Sequence, residues 1–369
     1  MTFRRILIPT ILLCVLPLSE RAVAETETNI DVEICFTLDT TGSMSGLIDG
    51  AKRKIWSIAN DIASLSPRPN IKFCLLAYRD RGDAYVTKMH DLNADIDVIY
   101  QTLQSYQANG GGDQPESVNQ ALYETVNDVS WSKEKDTLRI VYLVGDAPPH
   151  MDYPEEIKYP ATVKMAKQAD IVINTIQCGN ISATTPIWKD IARDSDGYFA
   201  KLPQSGNMTV IETPFDQDFK ALNSKMGKTM LPYGSHTQRD KIKEVQTKSQ
   251  GFSSATIADR LSYNTKTNKI IQRQGDLIDD LTGGGVNLED IPESHLPSEL
   301  QGLSKEEKLA YIEQIKSERA EYQRIIRGLD EERREYLKEK VNGQDSSFDQ
   351  EVIDRVIDIA KRKGIEFKN

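Results

Sequence analysis

The chain has 369 residues, with 46 Lys and Arg against 56 Asp and Glu, for a formal charge of −10. An acidic surface lacks the basic footprint that phosphate contacts need, so nucleic acid is excluded as the expected partner and adsorption to anionic lipid is disfavoured. No apolar run approaches the roughly 20 residues that span a bilayer, so no membrane span is expected.

Residues 1–24 carry Arg4 and Arg5, an apolar core from Ile6 to Leu18 and a small-x-small end at Ala22-Val23-Ala24, the pattern of a cleaved secretory signal. The expected mature chain begins near Glu25 and is periplasmic or secreted. Its maturation removes Arg4, Arg5, Arg21 and Glu20 and moves the charge from −10 to −12. Cys35, Cys74 and Cys178 remain, an odd number that forbids complete internal pairing. Cys35 and Cys74 lie in apolar strand runs and read as buried thiols, a bridge between adjacent strands being the alternative in an oxidising compartment. The state of Cys178 stays open.

The first strand, Asp31 to Leu38, is a nearly continuous apolar run of the kind a buried parallel strand shows. Asp39-Thr40-Thr41-Gly42-Ser43 leaves its carboxyl end with a carboxylate and two hydroxyls at alternate positions, a cradle for a hard cation where α/β sheets place ligands. The plainer reading is that Asp39 and Ser43 cap the helix that begins near Ser45. The strand Ile71 to Tyr78 runs into Arg79-Asp80-Arg81-Gly82-Asp83, whose acids could instead pair with the neighbouring arginines on a solvated turn. A weaker edge strand is expected near Tyr85 to Met89, then helices around Val98 and Val118. Ahead of the latter stands Gly110-Gly111-Gly112-Asp113-Gln114-Pro115-Glu116-Ser117, with glycines that let the backbone pass close to an ion and Pro115 opening the helix. The strand Leu138 to Val144 ends in Gly145-Asp146, with His150 beyond it on what reads as a surface loop. Ile171 to Gln177 and Gly197 to Ala200 complete the sheet. Strands alternating with helices over residues 30–225 predict an α/β fold with a doubly wound, mostly parallel sheet.

These residues resemble the metal-ion-dependent adhesion site of the von Willebrand factor A domain, which places Asp-x-Ser-x-Ser, a Thr and an Asp on three loops. The resemblance implies that Asp39, Thr41, Ser43, Glu116 and Asp146 surround one divalent cation, Mg2+ first, and that a partner's Asp or Glu fills its open position. Glu116 falls in the Thr slot, and Asp113-Gln114-Pro115-Glu116 is similar to the corresponding loop of integrin β subunits. The extra carboxylate argues for tighter metal holding and for Mn2+ or Ca2+ as alternatives. The same likeness implies a second ion, Ca2+, held by Asp80, Asp113, Glu116 and the Pro115 carbonyl. A third integrin site is not implied, because Gly46 and Leu47 stand where its acidic pair would fall. The chain is also similar to bacterial secreted proteins that pair this A domain with a charged helical tail.

Residues 226–299 turn polar, with helical stretches and a Gly/Pro-punctuated linker from Thr282 to Pro297. From 300 to 369, Ser304-Lys305-Glu306-Glu307 opens a long charged helix. Its stripe of Leu309, Ile312, Ile315, Tyr322, Ile326, Leu329, Tyr336 and Val341 is loosely heptad-like. A turn at Asn342-Gly343 into a shorter helix predicts a charged helical hairpin, able to form a homodimer by coiled-coil pairing.

The expected function is a secreted, metal-dependent protein-binding module for adhesion or assembly, and not an enzyme. Two alternatives compete: a metal-dependent hydrolase or phosphatase of the envelope, and a scaffold that acts through its C-terminal helices. A haloacid-dehalogenase phosphatase needs a second Asp where Thr41 stands, and Gly110 to Gly112 lack the Gly-Lys that cradles phosphate. His90, His150, His236 and His295 form no zinc helix, and no Ser or Cys sits in a nucleophile elbow.

Overall fold

The computed structural model describes residues 30–207, 210–341 and 348–367. The leader at 1–24 and the turn at Asn342-Gly343 lie outside the described residues.

Six strands form the sheet: β1 (Asp31–Asp39), β2 (Asn70–Tyr78), β3 (Thr87–Asn93), β4 (Thr137–Gly145), β5 (Ile171–Cys178) and β6 (Phe199–Leu202). Their order is β3-β2-β1-β4-β5-β6, and all pairings are parallel save the edge strand β3, which runs antiparallel to β2. The central strands are apolar on consecutive residues because both faces are covered. On one face Ile34, Phe36, Leu38, Ile140 and Tyr142 meet α1 (Ser45–Ile62) and α2 (Ile96–Ser105). On the other, Val141, Leu143 and Ile173 meet α3 (Val118–Asn127), α4 (Tyr159–Gln168) and α5 (Thr184–Asp194). Cys35 and Cys74 stand directly opposite each other in the β1–β2 register, with Cα atoms 4.3 Å apart, and are joined as a disulfide. Cys178 is a buried free thiol.

Past the sheet come α6 (Asp216–Lys228), α7 (His236–Ser249), α8 (Ser254–Lys266), α9 (Leu277–Thr282), α10 (Lys305–Val341) and α11 (Phe348–Arg362). No helix among the described residues is long and apolar enough to cross a membrane. Helix α8 joins the two halves, packing on α1 on one side and on α6 and α10 on the other. Its Arg260 reaches back to Asp97 of α2 with two bonds of 3.0 and 3.1 Å, both side chains being buried. The segment expected as a linker is packed instead: Leu288, Ile291, Leu296 and Leu300 join Leu231, Leu277, Ile312 and Ile315 in one apolar cluster.

Among the described residues, the two helices of the predicted hairpin pack on different partners. Helix α10 packs on α6 and α8, whereas α11 packs on α1 and β4. The reason lies in α11's own stripe, Phe348, Val352, Val356, Ile359 and Ala360, which is apolar enough to complete the sheet's open face. Phe348 lies 5.9 Å from the Phe36 ring, Tyr142 Oη donates to the Val352 carbonyl at 2.7 Å, and Lys54 pairs with Asp349 at 3.0 Å. The α10 stripe is divided between two clusters, Ile312 and Ile315 in one and Ile326 in the other, while Leu309 stays 46% exposed and is not part of a seam.

Candidate metal centre

Strand β1 delivers Asp39 to the carboxyl end of the sheet, where it is fully buried. Its Oδ1 accepts from the Thr41 backbone N–H at 2.8 Å and from Thr41 Oγ1 at 2.6 Å, and Ser43 Oγ lies 3.3 Å from Thr41 Oγ1. Its Oδ2 is buried without a hydrogen-bond partner. No side chain caps the short 3-10 turn Gly42–Met44 or α1, so the capping explanation for Asp39 and Ser43 is not realised.

The glycine loop lies directly over this turn, Gly42 donating to the Gly110 carbonyl at 3.2 Å and Asn109 to the Thr40 carbonyl at 3.1 Å. Gly111, at φ 84°, passes so close that an added Cβ would sit 3.3 Å from Thr41 Cβ and 3.4 Å from Glu116 Oε1. Glu116 is pinned by its backbone, donating to Pro148 O at 2.9 Å and accepting from His150 N at 3.1 Å. Its Oε2 is buried and has no partner. The backbone of β4 closes the other side, where a Cβ on Gly145 would meet Tyr78 Oη and lie 3.2 Å from Asp39 Oδ2. Asp146 follows, buried, with Oδ2 accepting from Gln204 Nε2 at 2.8 Å. Gln204 also donates to the Ser43 carbonyl at 3.1 Å, so a residue just past β6 ties the first loop to the third.

Burial and crowding distort the acids. Asp39 is pushed up to about 7, first by desolvation and then by the Asp146 charge, against the Thr41 hydrogen bonds. Glu116 is pushed up to about 9, again by burial first and then by Asp39, Asp80, Asp83 and Asp146. Buried carboxylate oxygens with no donor, beside two hydroxyls, are an all-oxygen set that fits a hard divalent cation.

Of the sequence-predicted residues, Asp39, Thr41 and Ser43 are in mutual contact, and Glu116 and Asp146 face the same end of the sheet. Asp80 and Asp113 gather elsewhere. Among the described residues, the His, Cys, Asp or Glu trio whose ligand atoms all lie within 4.8 Å of one another is Asp80, Asp113 and His150. Asp39, Glu116 and Asp146 are not drawn in that tightly. Asp80 is not paired with arginine either: it accepts from Ser117 Oγ at 3.0 Å and from Tyr153 Oη at 3.1 and 3.2 Å. Arg81 turns instead to Glu155 and Glu156 and lies over the Tyr153 ring at 4.0 Å, while Asp83 accepts from the Gly111 backbone. His150, expected on the surface, is 5% exposed. Gln204 and Tyr78 carry no sequence signal, since neither belongs to a local pattern.

Residues 33–213 match the family model of the von Willebrand factor A domain. This stretch is a von Willebrand factor A domain. A curated relative that aligns is an ariadne-like RING finger protein of Acanthamoeba polyphaga mimivirus, 29% identical over 119 residues, which are 32% of this chain and 11% of that protein. Among solved structures, proximal thread matrix protein 1 of the mussel byssus is 14% identical at a TM-score of 0.37, over 48% of this chain and 42% of the other. A second structure of it, with a zinc-occupied adhesion motif, is 15% identical at 0.37, over 47% and 42%. The SpRpn10 A domain is 13% identical at 0.36, over 48% and 91%. Within this chain's A domain, the Asp39 and Asp146 loops leave the carboxyl ends of β1 and β4, and the Glu116 loop, between α2 and α3, lies against both.

Proposed function

We propose that the protein is a metal-dependent binding module whose A domain recognises a partner's Asp or Glu side chain. The observation that carries this reading is the set of deeply buried carboxylates, Asp39, Glu116 and Asp146, for which the described residues supply no lysine or arginine partner. Asp39, Thr41 and Ser43 would hold a divalent ion directly, with Glu116 and Asp146 directly or through water. When bound, such an ion supplies an electrophilic position that a carboxylate can occupy. The protein's own part is positional: the Thr41 bonds orient Asp39, and Gln204 holds Asp146 and the Ser43 backbone in one frame.

Binding rather than catalysis is favoured by what surrounds the site. The Cys178 thiol is buried and driven far up by desolvation and by the Asp146 and Asp39 charges, so it is no nucleophile. The periplasmic or secreted placement is likewise our reading; the leader motivates it, and the Cys35–Cys74 bridge fits an oxidising compartment.

The test is affinity capture from periplasmic extract with wild type and Asp39→Ala side by side, each in magnesium and in EDTA. Recovery of the same partner by wild type in magnesium alone is expected. Equal recovery in EDTA, or by Asp39→Ala, refutes the proposal.

A further inference from the structure

The Asp80, Asp113 and His150 trio has no part in that proposal. Acidic groups gathered on a loop imply nothing by themselves, and the histidine is what sets this cluster apart. His150 is 5% exposed, and its Nε2 is buried without a hydrogen-bond partner, although Asp80 Oδ2 lies 3.3 Å away and Asp113 Oδ1 3.8 Å away. The ring is held in place from every other side. Its Nδ1 is 2.8 Å from Asp152 Oδ1, the Tyr153 ring stacks on it at 4.1 Å, and Asn119 Nδ2 donates to its carbonyl at 2.5 Å. Tyr153 in turn donates to Asp80. A carboxylate on Nδ1 makes that nitrogen the proton carrier and leaves the Nε2 lone pair free, which is how outer-shell acids orient metal-ligating histidines. Here Nε2 faces two carboxylates, an arrangement that a cation between them would stabilise.

We propose that Asp80, Asp113 and His150 hold a second divalent cation, and that the imidazole makes this a zinc-type site rather than one for magnesium or calcium. Imidazole nitrogen suits zinc, while the harder ions take oxygen shells. The ligands come from the turn after β2, the glycine loop and the loop after β4. One ion would therefore tie together the segments on either side of Glu116, independently of whether the adhesion reading holds.

The experiment is calorimetric titration of the tag-free full chain with zinc, in excess magnesium, for wild type, Asp39→Ala, His150→Gln, Asp113→Asn and Asp152→Asn. Wild type and Asp39→Ala should each bind one zinc ion with the same affinity, and calcium should not compete. Affinity should fall roughly tenfold or more in His150→Gln and Asp113→Asn, and about tenfold in Asp152→Asn, where only the orienting group is lost. The Asp113 side chain is 67% exposed, so that variant should fold even where His150→Gln does not. Three outcomes overturn the proposal: no zinc bound by wild type, unchanged affinity in Asp113→Asn, or loss of zinc in Asp39→Ala with retention in Asp113→Asn. The first would leave His150 as a packing neighbour of Asp80 only.

Discussion

In the helical half, every deeply buried carboxylate among the described residues has a basic partner. Arg319 bridges Asp276 and Asp279 at 2.7 and 2.6 Å, Arg333 reaches Asp259 at 2.6 Å and Asp216 at 3.3 Å, and Lys266 pairs with Asp330 at 2.8 Å. Arg260 extends the same service to Asp97 of the neighbouring domain. At the carboxyl end of the sheet, Asp39, Glu116 and Asp146 are equally buried, yet among the described residues no lysine or arginine pairs with them. Removing a carboxylate from water without a counter-charge costs several kcal/mol, so such groups either stay protonated or take a cation from solution. The contrast teaches that the chain neutralises the buried acids of its helical half with arginine and lysine and leaves those at the carboxyl end of the sheet without such a partner.

The comparison can be broken most severely by cutting the chain after Leu300. This removes α10 with Arg319 and Arg333, and α11 with its cover over Phe36 and Tyr142. The loss should exceed the roughly 5–15 kcal/mol that holds a typical domain together, and the fragment should show no cooperative thermal transition. A cooperative transition like that of the full chain would mean that α10 and α11 contribute little to the stability of the rest. Next in size is Arg319→Ala, which strands two buried carboxylates and should cost about 3–5 kcal/mol in urea unfolding. A smaller loss would show that water reaches Asp276 and Asp279.

The acids near the site should respond to pH in a way that a divalent cation in solution reverses. Asp39 titrates near 7 and Glu116 near 9 in the fold, above their ordinary values of 3.8 and 4.5. An acid whose folded value is raised binds its proton more tightly in the native state, so the contribution of these two groups is greatest below about 4 and falls as pH rises toward 9. In EDTA the decline should be progressive between these limits. Saturating magnesium should flatten the curve, because the ionised carboxylates then have a counter-charge. Equal slopes with and without magnesium in thermal melts would remove the metal from the site. The smallest effect belongs to Gln204→Ala, which frees Asp146 and the Ser43 loop and should weaken magnesium binding about tenfold by calorimetry. An unchanged affinity would show that β4 alone positions Asp146.

Much of the fold can be read along the chain because it rests on local pattern. Strands such as Ile140 to Val144 are apolar on every residue, and Asp39, Glu116 and Asp146 each follow a strand or a glycine turn that marks a loop. The helical tail misleads for an equally physical reason. The stripe of α11 shows that a face must be buried but not against what, and the nearest helix in sequence is not the surface it covers. A loop after two prolines reads as solvated, which puts His150 on the surface, whereas Asp152, Tyr153 and Asn119 enclose it.

Periodicity, glycine placement and the order of polar residues after apolar runs are properties of neighbours in sequence. They suffice to determine the parallel sheet and the three loops, and to single out the oxygen-bearing residues of the candidate site. Pairings between distant segments follow from strand register and helix docking, which one segment cannot encode alone. The Cys35–Cys74 bridge, the Gln204 strut, the α11 cover and the nitrogen among the carboxylates at His150 are therefore decided only when the chain closes on itself.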